Sequence, residues 1–277
     1  DFDLMVARFQ EKGVSHVIVS GTSYDCCVQA IALCRQYPGV FYTTVGVHPS
    51  HSLEFEEAGD GGEGHLNKLR ALVAENRDVV VAVGEVGVDY AELEECPADV
   101  QIRHFEKQFA LAKETGLPMF LHSRDCGLDF IDIVERHRDQ FTTGVVHSFT
   151  GSDEELKRIL DLGLSVSVNG ASLRTAEQVE RVKTVPLDRL MIETDAPWCD
   201  VRKQNFGWPD VKTKFETKKK DKFQMGKCVE RRNEPCHIVQ IFEVLSAHHP
   251  EAQGSPEAFA ERLYQNSMNM FLPFLSP

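Results

Sequence analysis

The feature that most constrains this chain is a regular alternation. Short, almost wholly apolar runs are separated by stretches with helical spacing. The runs are "HVIVSGT" (16–22), "FYTTVGVHP" (41–49), "VVVAVGEVGVD" (79–89), "PMFLHSR" (118–124), "GVVHSFTG" (144–151), "LSVSVNG" (164–170) and "LDRLMIETDAP" (187–197). A sheet with one wet face would show polar residues at every second position. Runs that stay apolar therefore belong to a parallel sheet covered on both faces. Helical patterns over 3–14, 23–39, 97–117, 126–141 and 152–163 supply that cover, as does one ending near Arg77 after the glycine-rich stretch 58–64. "RTAEQVERVKTV" and a terminal pair, 233–249 and 256–271, complete the set. Ser152 with Glu155 three residues on is a capping box, and it fixes the start of one helix.

Strands and helices in this order fit an α/β fold of the (β/α)₈ barrel type. Seven strands are legible and a closed barrel has eight, so the expectation is that the first strand is missing from this sequence, ahead of residue 1. The 277 residues suit one barrel domain over 1–277 with a basic insertion at about 201–232. A doubly wound open sheet is the alternative, but neither G-x-G-x-x-G nor G-x-x-x-x-G-K-[ST] is present.

Polar residues gather where the apolar runs end. They are His48, Glu85, Asp89, His122, His147, Asn169, Glu193 and Asp195. In a parallel barrel those carboxyl ends share one rim, where barrel enzymes keep their sites. Glu193 and Asp195, two apart in an extended run, would share a strand face and repel unless a cation stood between them. One histidine after a strand is more often an ordinary core or surface residue, and one acid there often caps the next helix. Three imidazoles and several carboxylates on one rim are instead a metal-ligand palette. Glu85 could bridge two cations, the arrangement used in phosphoryl displacement.

Charge enters at the substrate. With 30 Lys and Arg against 43 Asp and Glu the net charge is −13, which argues against a nonspecific nucleic-acid coat. An acidic site holding divalent cations still binds phosphate. Residues 212–232 carry nine Lys or Arg against three acids, with Phe206, Trp208, Phe215 and Phe223 in or just before them. Such a run is commonly a solvated loop. Basic residues interleaved with aromatics also suit single-stranded nucleic acid, and the run resembles a weak nuclear-import signal. The eight cysteines form no C-x-x-C pair, so they read as reduced thiols of the nucleus or cytoplasm. No apolar stretch approaches the ~20 residues of a membrane span.

The motifs "VGVHP", "VGEVGVDY", "PMFLHSRD", "GVVHSFTGS", "LMIETDAPW" and "RRNEPCHI" resemble, in order, those of the TatD family of metal-dependent deoxyribonucleases. "TDAPWC", the Lys-rich insertion and "RNEPCHI" are most similar to its eukaryotic branch. The resemblance implies a barrel of the amidohydrolase kind. It also implies hydrolysis of DNA phosphodiesters, mostly as a 3′-5′ exonuclease, with a role in DNA degradation or repair. It implies two divalent ions (Mg²⁺, Mn²⁺ or Zn²⁺) on Glu85, His122, His147 and Asp195: Glu85 and Asp195 at the first, His122 and His147 at the second. His48 and Glu193 match catalytic positions. Arg124 and Asn233 match the mouth of the site, and Lys218, Lys219 and Lys220 would hold phosphates of single-stranded or frayed DNA. The H-x-H pair that many members carry on the first strand is absent. Two other readings share the barrel: a hydrolase of another ester or amide, such as an aminoacyl-RNA bond, and a non-catalytic metal-binding protein.

Overall fold

The structure is a computed structural model that describes residues 1–57 and 59–275. Ala58, at the head of the glycine-rich stretch, lies outside the described residues. The chain divides into two compact units that interleave along the sequence. One comprises 16–147, 151–165 and 268–277; the other comprises 1–15, 148–150 and 166–267.

The first unit is built by strand–helix repetition. Its strands are β1 (Val17–Val19), β2 (Phe41–Val45), β3 (Val80–Asp89), β4 (Met119–Arg124) and β5 (Gly144–Val146). Each is hydrogen-bonded in parallel to the next in chain order. The connections are right for parallel pairing, because each crossover carries a helix. These are α2 (Tyr24–Gln36), α3 (Glu63–Glu75), α4 (Ala98–Thr115) and α5 (Asp129–Arg136), with α6 (Asp153–Asp161) following β5. β3 is buried along all ten residues, as its unbroken apolar run requires. α4 packs it with Phe105, Phe109, Leu111 and Ala112, each at most 1 % exposed. Ser23 and Ser152 cap α2 and α6 as the sequence indicates, the second in a complete capping box with Glu155.

The second unit holds α1 (Phe2–Glu11), the parallel pair β6 (Ser165–Val168) and β7 (Leu190–Ile192), α7 (Ala176–Val182) and α8 (Ile238–His248). It also holds most of α9 (Pro256–Phe271). The tract read as irregular contains a short parallel pair, β8 (Thr217–Lys218) with β9 (Cys228–Val229).

Several strands are shorter than their apolar runs, and the difference matters for the site. β2 stops at Val45 and β5 at Val146, so His48 and His147 sit beyond the last strand residue. A 3-10 helix over Pro49–Glu56, which the sequence did not reveal, follows His48. The segment 126–141 is a helix only over Asp129–Arg136, because Gly127 at φ 54° turns the chain before it. The expected strand 187–197 shrinks to Leu190–Ile192. A 3-10 turn, Leu187–Arg189, precedes it, and Asp195 at φ 53° cannot continue an extended chain. The shared strand face for Glu193 and Asp195 is therefore corrected: alternation does not relate two residues in a turn.

Candidate metal centre

Glu85 occupies an irregular point of β3. Val83 pairs with Met119 and Val86 with Leu121, so three steps on β3 oppose two on β4. Such a bulge re-aims side chains locally. The Glu85 N–H leaves the ladder and donates to the Gly21 carbonyl at 2.7 Å. Two residues on, Gly87 lets the β4 backbone in. A Cβ there would stand 1.8 Å from the His122 carbonyl oxygen.

Three imidazoles meet the Glu85 carboxylate. Its Oε1 lies 2.7 Å from His122 Nδ1, 2.8 Å from His147 Nε2 and 3.6 Å from His48 Nε2. His122 Nδ1 and His147 Nε2 are 3.0 Å apart, and the His48 and His122 rings meet edge to face at 4.4 Å. His48 is aimed from behind: Ser50 engages its Nδ1, through N–H at 3.2 Å and Oγ at 2.8 Å. Its own N–H donates to Thr22 O at 2.9 Å, and buried Gln108 clamps Val47 on both polar atoms. The orientation of Nε2 is thus set by neighbours rather than by the strand.

The electrostatics follow from burial. Desolvation would raise the Glu85 carboxyl, but the charge and hydrogen bonds of His147 and His122 outweigh it and hold the group well below its ordinary range. Burial pulls His48 down to about 4, and repulsion from His122 adds to it. For His122, burial is overcome by hydrogen bonds to Asp89 and Glu85, so its pKa is raised. One carboxylate, a neutral imidazole and a readily protonated one therefore converge. Donor atoms 2.7–3.6 Å apart match the edges of a coordination shell with ligand distances of ~2.0–2.2 Å. His48, Glu85 and His122 present their ligand atoms within 4.8 Å of one another. The residues fit a divalent cation.

Asp89 belongs to this group although the ligand list read from the sequence omits it. It is 1 % exposed, and its Oδ2 stands 3.0 Å from His122 Nε2. Gln101 holds its main chain at 2.8 and 2.9 Å. A carboxylate on the far nitrogen fixes the tautomer and raises the basicity of a ligating imidazole. Its only sequence signal is its place four residues after Glu85 at the end of an apolar strand. Asp89→Asn keeps the shape and removes the charge. It is expected to weaken divalent-metal affinity by about 10- to 100-fold with little change in melting temperature, read by metal titration and thermal denaturation. Arg124, whose side chain is 52 % exposed, reaches Asp89 at 3.5 Å and Glu92 at 3.4 Å, which leaves its guanidinium open to an anion from solvent.

The remaining expected residues lie in the other unit. Glu193 follows β7, its N–H donating to Val168 O at 3.0 Å. Its carboxylate accepts hydrogen bonds from the Ser167 hydroxyl and from Asn169 Nδ2, and Asn169 also donates to Ser148 Oγ at 2.9 Å. This polar cradle orients Glu193 and was not legible beyond Asn169. Asp195 Oδ2 accepts from Cys199 Sγ at 3.1 Å, and Trp198 beside it is 71 % exposed. Lys219 and Lys220 are exposed, and Lys218, in β8, is half-buried 3.7 Å from Glu216. Asn233 is 3 % exposed, and its Nδ2 donates to Thr194 O at 2.7 Å while its N–H donates to Pro197 O. Both bonds hold the turn around Asp195.

Known proteins share this chain's sequence and fold. The family model described as TatD related DNase matches residues 1–272. A deoxyribonuclease Tat-D of Schizosaccharomyces pombe is 40 % identical over 275 residues, which is 98 % of this chain and 87 % of that protein. A 3′-5′ ssDNA/RNA exonuclease TatD of Yersinia pseudotuberculosis is 32 % identical, covering 98 % of this chain and 93 % of its own. The crystal structure of a hydrolase TatD family protein from Entamoeba histolytica superposes with a TM-score of 0.89 at 33 % identity, over 99 % of this chain and 90 % of that one. The fold class is the parallel α/β hydrolase barrel that the strand–helix alternation indicates.

Proposed function

Because this chain belongs to the TatD-related DNase family, we propose that it is a divalent-metal-dependent deoxyribonuclease, a hydrolase of DNA phosphodiester bonds. The observation that carries the reading is the convergence of His48, His122 and His147 on one Glu85 oxygen, backed by Asp89 on the far side of His122. An isolated buried carboxylate would not gather three imidazoles for stability alone.

Glu85, His122 and His147 are the proposed ligands, with Asp195 added because it occupies the family's "TDAPW" motif. Two divalent ions are proposed, of the Mg²⁺, Mn²⁺ or Zn²⁺ kind. When bound, they neutralise phosphate charge and make a nucleophile of water near neutral pH. His48, held neutral by a pKa lowered to about 4 and accepting the Ser50 N–H on Nδ1, is suited to donating a hydrogen bond from Nε2 to the phosphate. Glu193, held by Ser167 and Asn169, is suited to orienting the attacking water. Arg124, Lys218, Lys219 and Lys220 would hold flanking phosphates.

Single-stranded or frayed DNA degraded from the 3′ end is the proposed substrate, in line with the Yersinia relative's name. The proposed location is nucleus or cytoplasm, where thiols such as the buried Cys27 and Cys34 stay reduced. No helix among the described residues is long and apolar enough to cross a membrane. Digestion of 5′- and 3′-labelled single- and double-stranded DNA across Mg²⁺, Mn²⁺ and Zn²⁺ tests the activity, its polarity and its metal. Hydrolysis of aminoacyl esters in preference to any DNA would overturn it.

The His122 pKa gives a prediction with a definite sign. Its value in the metal-free chain is raised above 6.5. A metal must displace that proton, so affinity should fall by roughly tenfold per pH unit for each proton displaced as the solution becomes acidic. Without metal the sign reverses: the His122 contacts stabilise fully below pH 6.5 and their contribution disappears as pH rises through the raised value. Metal titrations and melts from pH 6 to 9 should show opposite slopes for loaded and stripped protein.

A further inference from the structure

A second donor set lies in the tract between β8 and α8. Cys228, on β9, and Cys236 and His237, in a 3-10 helix over Pro235–His237, present ligand atoms within 4.8 Å of one another. Both cysteines are at most 2 % exposed. None of the three is used by the nuclease reading. Their spacing is not C-x-x-C, and Cys236 and His237 are adjacent, so no linear motif announces them.

We propose that Cys228, Cys236 and His237 bind a Zn²⁺-class ion that staples the basic tract to the segment holding the Asp195 turn. Three observations support it. First, Asn233 Oδ1 stands 2.8 Å from His237 Nδ1. Nδ1 also accepts the Glu234 N–H at 2.9 Å, so two contacts fix the ring with a ligand atom within 4.8 Å of both sulfurs. Second, charge balances. Glu234, 3.8 Å from Cys228 Sγ and 4.0 Å from Cys236 Sγ, is already paired with Arg8 at 2.8 Å and Arg232 at 3.0 Å. A divalent ion displacing two thiol protons leaves the pocket's net charge unchanged, with solvent completing a fourth position.

The third observation is the tract's own weakness. β8 and β9 have two residues each, too little sheet to stand alone, and Lys219 and Lys220 beside them are exposed. A small, solvated segment of this kind needs a cross-link, and two soft thiolates with one imidazole suit zinc. The same stretch carries Asn233, which binds Thr194 O and Pro197 O. An ion on its two flanks would fix the basic tract and the Asp195 turn together.

The test uses the full chain loaded with Co²⁺ in place of Zn²⁺. Sulfur-to-cobalt charge transfer in the near ultraviolet requires thiolate ligands, which the Glu85 group lacks. Wild type and Glu85→Gln should both show the band, so loss of the nuclease centre and loss of this one are distinguishable. Cys228→Ser and Cys236→Ser should lose the band and one equivalent of metal, and His237→Ala should weaken binding by at least about tenfold. Chelation should speed tryptic cleavage within 218–227 by about tenfold in wild type and equally in Glu85→Gln, whose nuclease centre is already disabled. That experiment decides the matter even if a variant does not fold. A wild type without the band, or a Cys228–Cys236 disulfide in protein purified under reductant, would overturn the proposal.

Discussion

Glu85→Ala is expected to abolish DNA hydrolysis, lowering kcat by about a thousandfold or more, while the protein still folds. The carboxylate stands within 3.6 Å of all three imidazoles. Its removal leaves His122 and His147 with ring nitrogens 3.0 Å apart and no anion between them. One nitrogen can donate to the other, but two protonated rings would repel. Metal affinity should collapse with activity, because the variant loses the hard oxygen donor on which the three imidazoles converge. Glu85→Gln separates charge from volume, keeping the side chain's size and losing its anion. Turnover at the wild-type rate by either variant, after chelation and replenishment with each metal, would remove Glu85 from the mechanism.

The second large effect concerns stability. Gly87→Ala places a methyl carbon 1.8 Å from the His122 carbonyl oxygen, and backbone cannot swing aside as a flexible side chain can. β3 and β4 would have to separate at the point where Glu85 and His122 meet. A loss of about 3 kcal/mol or more is expected, or roughly 6–12 °C in melting temperature. Gly39→Ala is the control. Gly39 also has positive φ, 77°, but nothing lies within 4 Å of its added Cβ. It should cost only about 1–2 kcal/mol, the price of the left-handed backbone. Equal losses at the two positions would show that backbone conformation, not the strand contact, dominates at Gly87.

Much of this arrangement was legible in sequence because it rests on local rules. Unbroken apolar runs reveal strands covered on both faces, and Ser152 with Glu155 announces a helix start. His48, Glu85, His122 and His147 were found by their position after such runs, and four distant segments bring them together. What escaped depends on departures from those rules. The bulge at Glu85 breaks alternation, and no residue type marks it. Glu193 and Asp195 were paired by alternation, but the chain turns at Asp195 with positive φ. Asp89 was counted among the acids of the rim, but its pairing with His122, 33 residues away, was not legible. Cys228, Cys236 and His237 are joined by a fold that sets a strand residue beside a 3-10 turn, a contact that linear spacing does not encode.

The ion pair between Arg8 and Glu234 spans 226 positions of the chain. During synthesis the first of these residues leaves the ribosome long before the second exists. At about 5–20 residues per second the wait is roughly 10–45 s. Throughout it, the α1 segment carries Phe9, destined for complete burial, but the 3-10 turn it packs against has not been translated. The α1 segment is therefore exposed, with its apolar residues uncovered, for most of elongation, and suited to capture by a chaperone.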